Sequence, residues 1–216
     1  MPAKSPTPKR AYNSQRRQAQ AEETRRQILE AARQLFVTRG YMGTTIEAVA
    51  REAGVAAETL DATFGSKRAL LARLVDVSVV GDEAPVPLLE RPGPLAVGRE
   101  EDQRRQVRLF AHDIREIMER VGPLFEVLNA AAKTEPDIAA LLAQILGGRH
   151  AGMQHFVQVL ARNGPLRQGL SAPAAADTVF ALTSAEVHRL LTVNRGWPGE
   201  QYEKWLGDTL AVLLLR

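Results

Sequence analysis

Three residues constrain this chain most: Ala50, Gly54 and Leu60. Two short helices can cross closely only where a small side chain sits at the crossing. The chain can turn tightly between them only where a glycine permits it, and the second helix needs an apolar residue to lock it in. Ala50, Gly54 and Leu60 meet these needs at the spacing of a helix-turn-helix, although an ordinary helical corner uses the same spacing. From Glu22 onward Ile28, Ala31, Ala32, Leu35 and Phe36 recur at helical spacing, and Gly40 stands where a left-handed cap is expected. Thr44 with Glu47 three residues later predicts a capping box for a second helix, with Ile46, Val49 and Ala50 inward and Gly54 at its end. A third helix is expected from about Ala56 to Phe64, anchored by Leu60 and Phe64. Ser66 caps a fourth, carrying Leu70, Leu71, Leu74 and Val75.

The rest of the chain is also helical by pattern. Gly81 to Gly98 holds Pro85, Pro87, Pro92 and Pro94 and reads as a long loop. Val107, Phe110, Ile114, Ile117, Met118 and Val121 form one apolar stripe that Gly122-Pro123 should end, with a short helix from Pro123 to about Lys133. A long helix from Pro136 carries Ile138, Leu141, Leu142, Ile145, Met153, Phe156, Val157 and Leu160 and stops at Asn163-Gly164-Pro165. Gly147, Gly148 and Gly152 interrupt it, each at about 1 kcal/mol relative to alanine, which suggests close approach of another helix or a kink. The last two helices are expected at Ala172–Arg195 and Pro198–Leu215. With no strand pattern and no internal repeat, the fold class is all-α with about nine helices. The expected organisation is a disordered basic arm over 1–20, a helix-turn-helix domain over 21–66, and a larger helical domain over 67–216.

Composition narrows the setting. The chain has 216 residues, 45% of them apolar, enough for a real core. It has no cysteine, which excludes disulfides and thiolate metal sites and fits a reducing compartment. No window of 18 unbroken apolar residues suggests a membrane span, and the basic N-terminus lacks the apolar segment of a signal peptide. A soluble, cytoplasmic protein is expected. The net charge of +3 is unevenly spread. Residues 1–75 hold 13 Lys/Arg against 7 Asp/Glu, whereas the remainder hold 15 against 18. Lys4, Lys9, Arg10, Arg16 and Arg17 precede any acidic residue. A basic front on a mildly acidic body suggests a polyanion partner for the front, or a solubilising tail.

The run Gly40-Tyr41, Thr44-Thr45-Ile46, Val49-Ala50, Ala53-Gly54-Val55, Thr59-Leu60, Phe64, Ser66-Lys67 and Leu70-Leu71 resembles the N-terminal signature of the TetR/AcrR family of transcriptional regulators, from about Thr24 to Leu74. The resemblance implies an all-α homodimer with a three-helix DNA-binding domain. It also implies a larger domain that binds a small molecule and dimerises through its last two long helices. Carried onto this sequence, Thr44 and Thr45 would meet a DNA phosphate at a helix N-terminus. Lys67 would contact the backbone as a point charge, and Arg25, Arg26 and the arm would add salt-dependent binding. Ala56, Ala57, Glu58, Thr59, Asp61 and Thr63 would form the reading helix. Two positions depart from the family pattern: Ala56 cannot cap, and Asp61 replaces a tyrosine that meets a phosphate. Asp61 could accept from a cytosine amine, pair with Lys67 or Arg68, or weaken DNA binding.

For an effector, Leu74, Phe110, Ile114, Met118, Phe125 and Phe156 could line an apolar cavity, or simply be core. His112, Asn129, His155 and His188 are candidate polar contacts, with His155 the one assigned to the site. Val179, Leu182, Leu190, Trp205, Leu210 and Leu213, with Val187, Leu191, Leu206 and Leu214, present more apolar surface than one hairpin needs, which suggests a dimer interface. His112 and Glu116, one turn apart, are the only hint of a metal pair; no catalytic signature or cofactor is expected. The reading is a dimeric, ligand-responsive repressor of a pseudo-palindromic double-stranded operator, released by a small hydrophobic effector. The alternative is a TetR-like small-molecule binder whose DNA binding is weakened by Asp61 and Ala56.

Overall fold

The computed structural model describes the backbone from Lys9 and the side chains from Arg16, through to Arg216. The described residues are all-α apart from one isolated bridge between Leu166 and Leu215. They divide into two compact units, one ending at Leu74 and the other running from Val75 to Arg216. The expected boundary stood earlier, after residue 66.

In the first unit α1 spans Lys9–Arg39, α2 Ile46–Glu52 and α3 Ala57–Phe64, and α4 begins at Lys67. Residues 9–20, expected to be disordered, continue α1 instead, and Arg16 and Arg17 are exposed on it. Residues 1–8 of the expected arm, Lys4 among them, lie outside the described residues. Ile28, Ala32, Phe36, Val49, Leu60, Leu70 and Leu71 close the core of this unit at 2% exposure or less. Gly40 and Gly54 take φ of 70° and 69°, the left-handed conformation that the two turns require.

In the second unit α4 ends at Val80 and is followed by α5 (Pro92–Arg99), α6 (Gln103–Ala131), α7 (Pro136–Arg162), α8 (Ala172–Leu182), α9 (Ala185–Arg189) and α10 (Gly199–Leu214). Helix α6 packs on α10, α5 and α7, and α7 packs on α8. Three expectations are corrected here. Part of the proline-rich loop is helical: Pro92 and Pro94 fall in the first turn of α5, where their missing N–H groups would have no intrahelical partner anyway. Helix α6 does not stop at Pro123 but carries it in its interior. An interior proline disfavours a helix by about 3 kcal/mol, which the continuing buried stripe of Leu124, Phe125, Val127, Leu128 and Ala131 offsets. The helix expected over 172–195 breaks at Thr183. Ser184 then caps α9, accepting from the Val187 N–H at 3.3 Å, and a π-helical turn over Leu190–Asn194 completes the segment.

Candidate nucleic-acid interface and ligand cavity

The two threonines before α2 have different tasks. Thr45, not Thr44, is the N-cap: its exposed hydroxyl accepts from the Ala48 N–H at 3.1 Å. The expected Thr44–Glu47 capping box does not form. With Thr45 as cap, Glu47 is the second helical residue, and its carboxylate bonds its own N–H and the Thr45 hydroxyl, which hold its pKa below the usual range. Thr44 is completely buried and donates to the carbonyls of Gly40 (2.8 Å) and Leu35 (3.1 Å). A phosphate contact by the Thr44 side chain is therefore ruled out; it ties the turn to the end of α1.

Lys67 is corrected in the same way. Its ammonium donates to the carbonyls of Tyr41 (3.0 Å) and Thr44 (3.1 Å) and lies 4.1 Å from the centre of the Tyr41 ring. It fastens the start of α4 to the α1–α2 turn and does not stand out as a free point charge. One of the two cations expected to pair with Asp61 is thereby committed elsewhere. Arg26 forks onto Glu23 at 2.7 and 3.0 Å and approaches Glu30, so it lies on a solvated, paired face. Arg25 is exposed.

Helix α3 is held by Leu60, which is fully buried, with Phe64 half-buried behind it. Glu58, Thr59, Asp61 and Thr63 are exposed along its outer face, with Ala56 exposed ahead of it and Ala57 half-buried. Ala56 occupies the N-cap and its side chain makes no capping bond. The Val55 N–H donates to the Ala50 carbonyl at 2.9 Å, closing the turn. The result is an outward helix on a tightly clamped base, with two carboxylates on the exposed face.

The second unit contains a cavity of about 400 Å³ among α5, α6 and α7. Phe110, Ile114, Phe156 and His155 line it as expected from sequence. Met118 and Phe125 do not: each borders a separate depression beside Glu126 and Ala185. Leu74 belongs to the other compact unit. Phe110 and Phe156 stack with ring centres 3.7 Å apart and planes 10° apart. Gly147, Gly148 and Gly152 have no neighbour within 4 Å of where a side chain would begin, so no helix of the described chain approaches there. Gly152 faces the cavity instead.

Sequence reasoning missed Asp113, which lines the same cavity. Its signal was present: it stands three residues after Phe110 and one before Ile114, on the apolar stripe itself. Burial pushes its carboxyl up to about 6. The neighbouring Glu116 adds to this, and His112 and Arg120 oppose it. The lining residues Leu88, Leu95 and Val97 were also missed, because they lay within the stretch read as loop.

The remaining candidates are ion pairs or core. His112 Nδ1 lies 3.0 Å from Glu203, whose same oxygen accepts from Arg115 at 2.8 Å, so the His112–Glu116 pair joins a salt-bridge network. Among the described residues no cluster of three or more His, Cys, Asp or Glu could hold a metal. Asn129 donates to Glu186 at 3.0 Å. His188 is buried edge-on to Tyr202, and burial lowers its pKa.

Among the expected interface residues, Val179 and Leu210 are fully buried within the chain and cannot meet a partner. Both sit on the inner stripes of their helices, where an apolar pattern alone does not distinguish core from interface. Leu182, Trp205 and Leu213 are half-buried, and Leu190 is 56% exposed. Val193 and Val212, at 66% and 68%, are exposed apolar residues that the expected interface did not include.

Comparison with known proteins agrees with this geometry. Residues 28–74 match the family model described as bacterial regulatory proteins, tetR family. The HTH-type transcriptional repressor BepR of Brucella suis biovar 1 (strain 1330) is 26% identical over 188 residues, covering 84% of this chain and 87% of BepR. Two solved structures share the fold. A transcriptional regulator from Saccharomonospora viridis in complex with choline matches with a TM-score of 0.66 at 20% identity, covering 90% of this chain and 98% of that one. NalD, the secondary repressor of the MexAB-OprM multidrug efflux pump in Pseudomonas aeruginosa, matches at 0.65 and 19%, with the same coverages. No helix of the described residues is long and apolar enough to cross a membrane. Residues 28–74 thus match the tetR family of bacterial regulatory proteins and carry its clamped helix-turn-helix, and the all-α chain is similar to transcriptional repressors over most of its length.

Proposed function

We propose that the protein is a ligand-responsive repressor that binds a pseudo-palindromic operator as a homodimer and releases it when a small, largely apolar effector occupies the α5–α6–α7 cavity. The observation that carries the ligand response is that cavity, about 400 Å³ in volume and walled by Phe110, Ile114, Met153 and Phe156. BepR and NalD are themselves repressors, and the Saccharomonospora viridis protein holds a small molecule, which supports the same reading here. Effector binding shifts the protein between binding and non-binding arrangements only by its difference in affinity for the two.

DNA would meet the outer face of α3, with Thr45 at the edge of α2. Arg16, Arg17 and Arg25 on α1 supply positive charge that α3 lacks. Leu190, Val193 and Val212 would provide the exposed apolar core of the dimer contact. The competing view, a ligand binder that no longer grips DNA, is not favoured. Leu60 anchors α3 with its polar face outward, and Thr44 and Lys67 fix the α1–α2 turn beside it, which supports a reading helix.

The deciding experiment is fluorescence anisotropy of the full-length protein with duplexes from its own upstream region at several salt concentrations. Specific binding should exceed binding to scrambled duplex by at least about a thousandfold. Equal affinity for both duplexes would refute the operator-binding reading.

A further inference from the structure

The cavity among α5, α6 and α7 is apolar except at a few points, and the placing of its charges is asymmetric. Arg99 and Arg162 stand in the last turns of α5 and α7, where helix carbonyl ends favour cations, and both are exposed. His155 is exposed as well. The cavity's positive groups therefore sit in water. Asp113 is its only acidic lining residue and is half-buried on the long axis of α6, beside Phe110 and Ile114.

We infer that the cavity takes an amphipathic organic cation, with the Asp113 carboxylate as its counter-ion and the Phe110–Phe156 wall receiving its apolar part. The inference rests on the reading of this cavity as the effector site.

Three observations carry it. First, Asp113 has no hydrogen bond or ion pair among the described residues. The nearby cations are occupied: His112 faces Glu203 and Glu116, and Arg120 donates to the carbonyls of Ser78 (3.0 Å) and Val79 (3.3 Å). Second, α5 presses its own backbone on this carboxylate, because a side chain at Gly93 would collide with the Asp113 oxygens. The close fit excludes water from one side. The first turn of α5 faces the carboxylate there with its positive dipole end but makes no hydrogen bond to it among the described residues, so no full counter-charge is supplied. A neutral ligand would bury Asp113 unpaired and an anion would oppose it, whereas a cation restores what burial removed. Third, the stacked Phe110 and Phe156 rings line the same space, and aromatic faces attract cations. The raised carboxyl value, about 6, is the mark of a charge that lacks its partner and is still mostly ionised at neutral pH.

Isothermal titration calorimetry of the full-length protein with octyltrimethylammonium, octanol and octyl sulfate, each below its micelle threshold, tests this. At pH 7.5 the cation should bind tightest. Asp113→Asn should weaken it about tenfold or more while leaving octanol unchanged or tighter. Cation affinity should fall as pH drops below about 6, because protonation of Asp113 removes the counter-ion. Octyl sulfate binding tightest, or Asp113→Asn weakening all three probes equally, would overturn the assignment. Octanol and octyl sulfate binding without the cation would remove the counter-ion role and leave the effector site standing. No binding by any probe would remove both.

Discussion

Replacing Asp113 with asparagine should make the ligand-free protein more stable at neutral pH. In the folded chain burial lifts the Asp113 carboxyl from 3.8 to about 6. Between those values the folded state binds more protons than the unfolded state, so stability falls as pH rises through that window. Above it the ionised carboxylate is a constant burden. At 1.36 kcal/mol per pK unit, the raw burden would be about 3 kcal/mol. The group borders an open cavity, however, and water there screens it, which reduces the burden to about 1–2 kcal/mol. Asparagine keeps the shape against Gly93 and cannot ionise. For a chain of this size each kcal/mol moves the melting temperature by about 2–4 °C. Asp113→Asn should therefore melt roughly 2–8 °C above the parent protein at pH 7.5, with the gap shrinking as pH falls toward about 4. Differential scanning calorimetry of both proteins at matched ionic strength across that range gives the answer. A variant that melts at or below the parent at pH 7.5, or a gap that does not change with pH, would refute the reasoning.

Other consequences of the structure can be checked directly. Lys67→Met removes two charge-assisted bonds to the α1–α2 turn and should lower the stability of the first unit by about 1–2 kcal/mol in urea denaturation. The salt dependence of DNA binding should be unaltered, whereas loss of a phosphate contact would reduce the log–log slope by about 0.9. Asp61→Tyr removes an exposed carboxylate from the outer face of α3 and should raise affinity for non-specific duplex in anisotropy titrations. An unchanged or lower affinity would contradict that. Val193→Glu puts a charge on an exposed apolar residue of the π-helical turn and should shift the protein to monomer in sedimentation velocity at micromolar concentration. A dimer as tight as the parent's would place the interface elsewhere.

The helix-turn-helix was readable because each of its parts is local. Gly54 must turn, Leu60 must anchor and Ala50 must be small, and sequence spacing records all three. The roles of Thr44 and Lys67 were less readable because they depend on partners far along the chain. The Lys67 carbonyl acceptors lie 23 and 26 residues before it, and Thr44 reaches back to Leu35. A threonine at a helix start looks the same from sequence whether its hydroxyl faces solvent or a buried carbonyl. In the second unit, prolines were read as breakers at Pro92, Pro94 and Pro123. The first two occupy positions where a helix tolerates them, and Pro123 is overridden by packing on both sides. Asp113 was hidden by its company: a carboxylate on an apolar stripe draws notice only once the cavity it enters is known.

The glycine at position 152 has a consequence for how this regulator can change. A methyl group there would meet nothing within 4 Å, and alanine would favour the helix by about 1 kcal/mol. Steric need does not hold the glycine in place, so alanine there would favour α7 while narrowing that part of the cavity wall. Chambers of this kind can be resized one carbon at a time without disturbing the frame around them. Under the proposed effector role, Gly152→Ala would narrow the set of molecules admitted and make α7 harder to unfold, whereas a β-branched residue there would narrow it further and give back much of that gain.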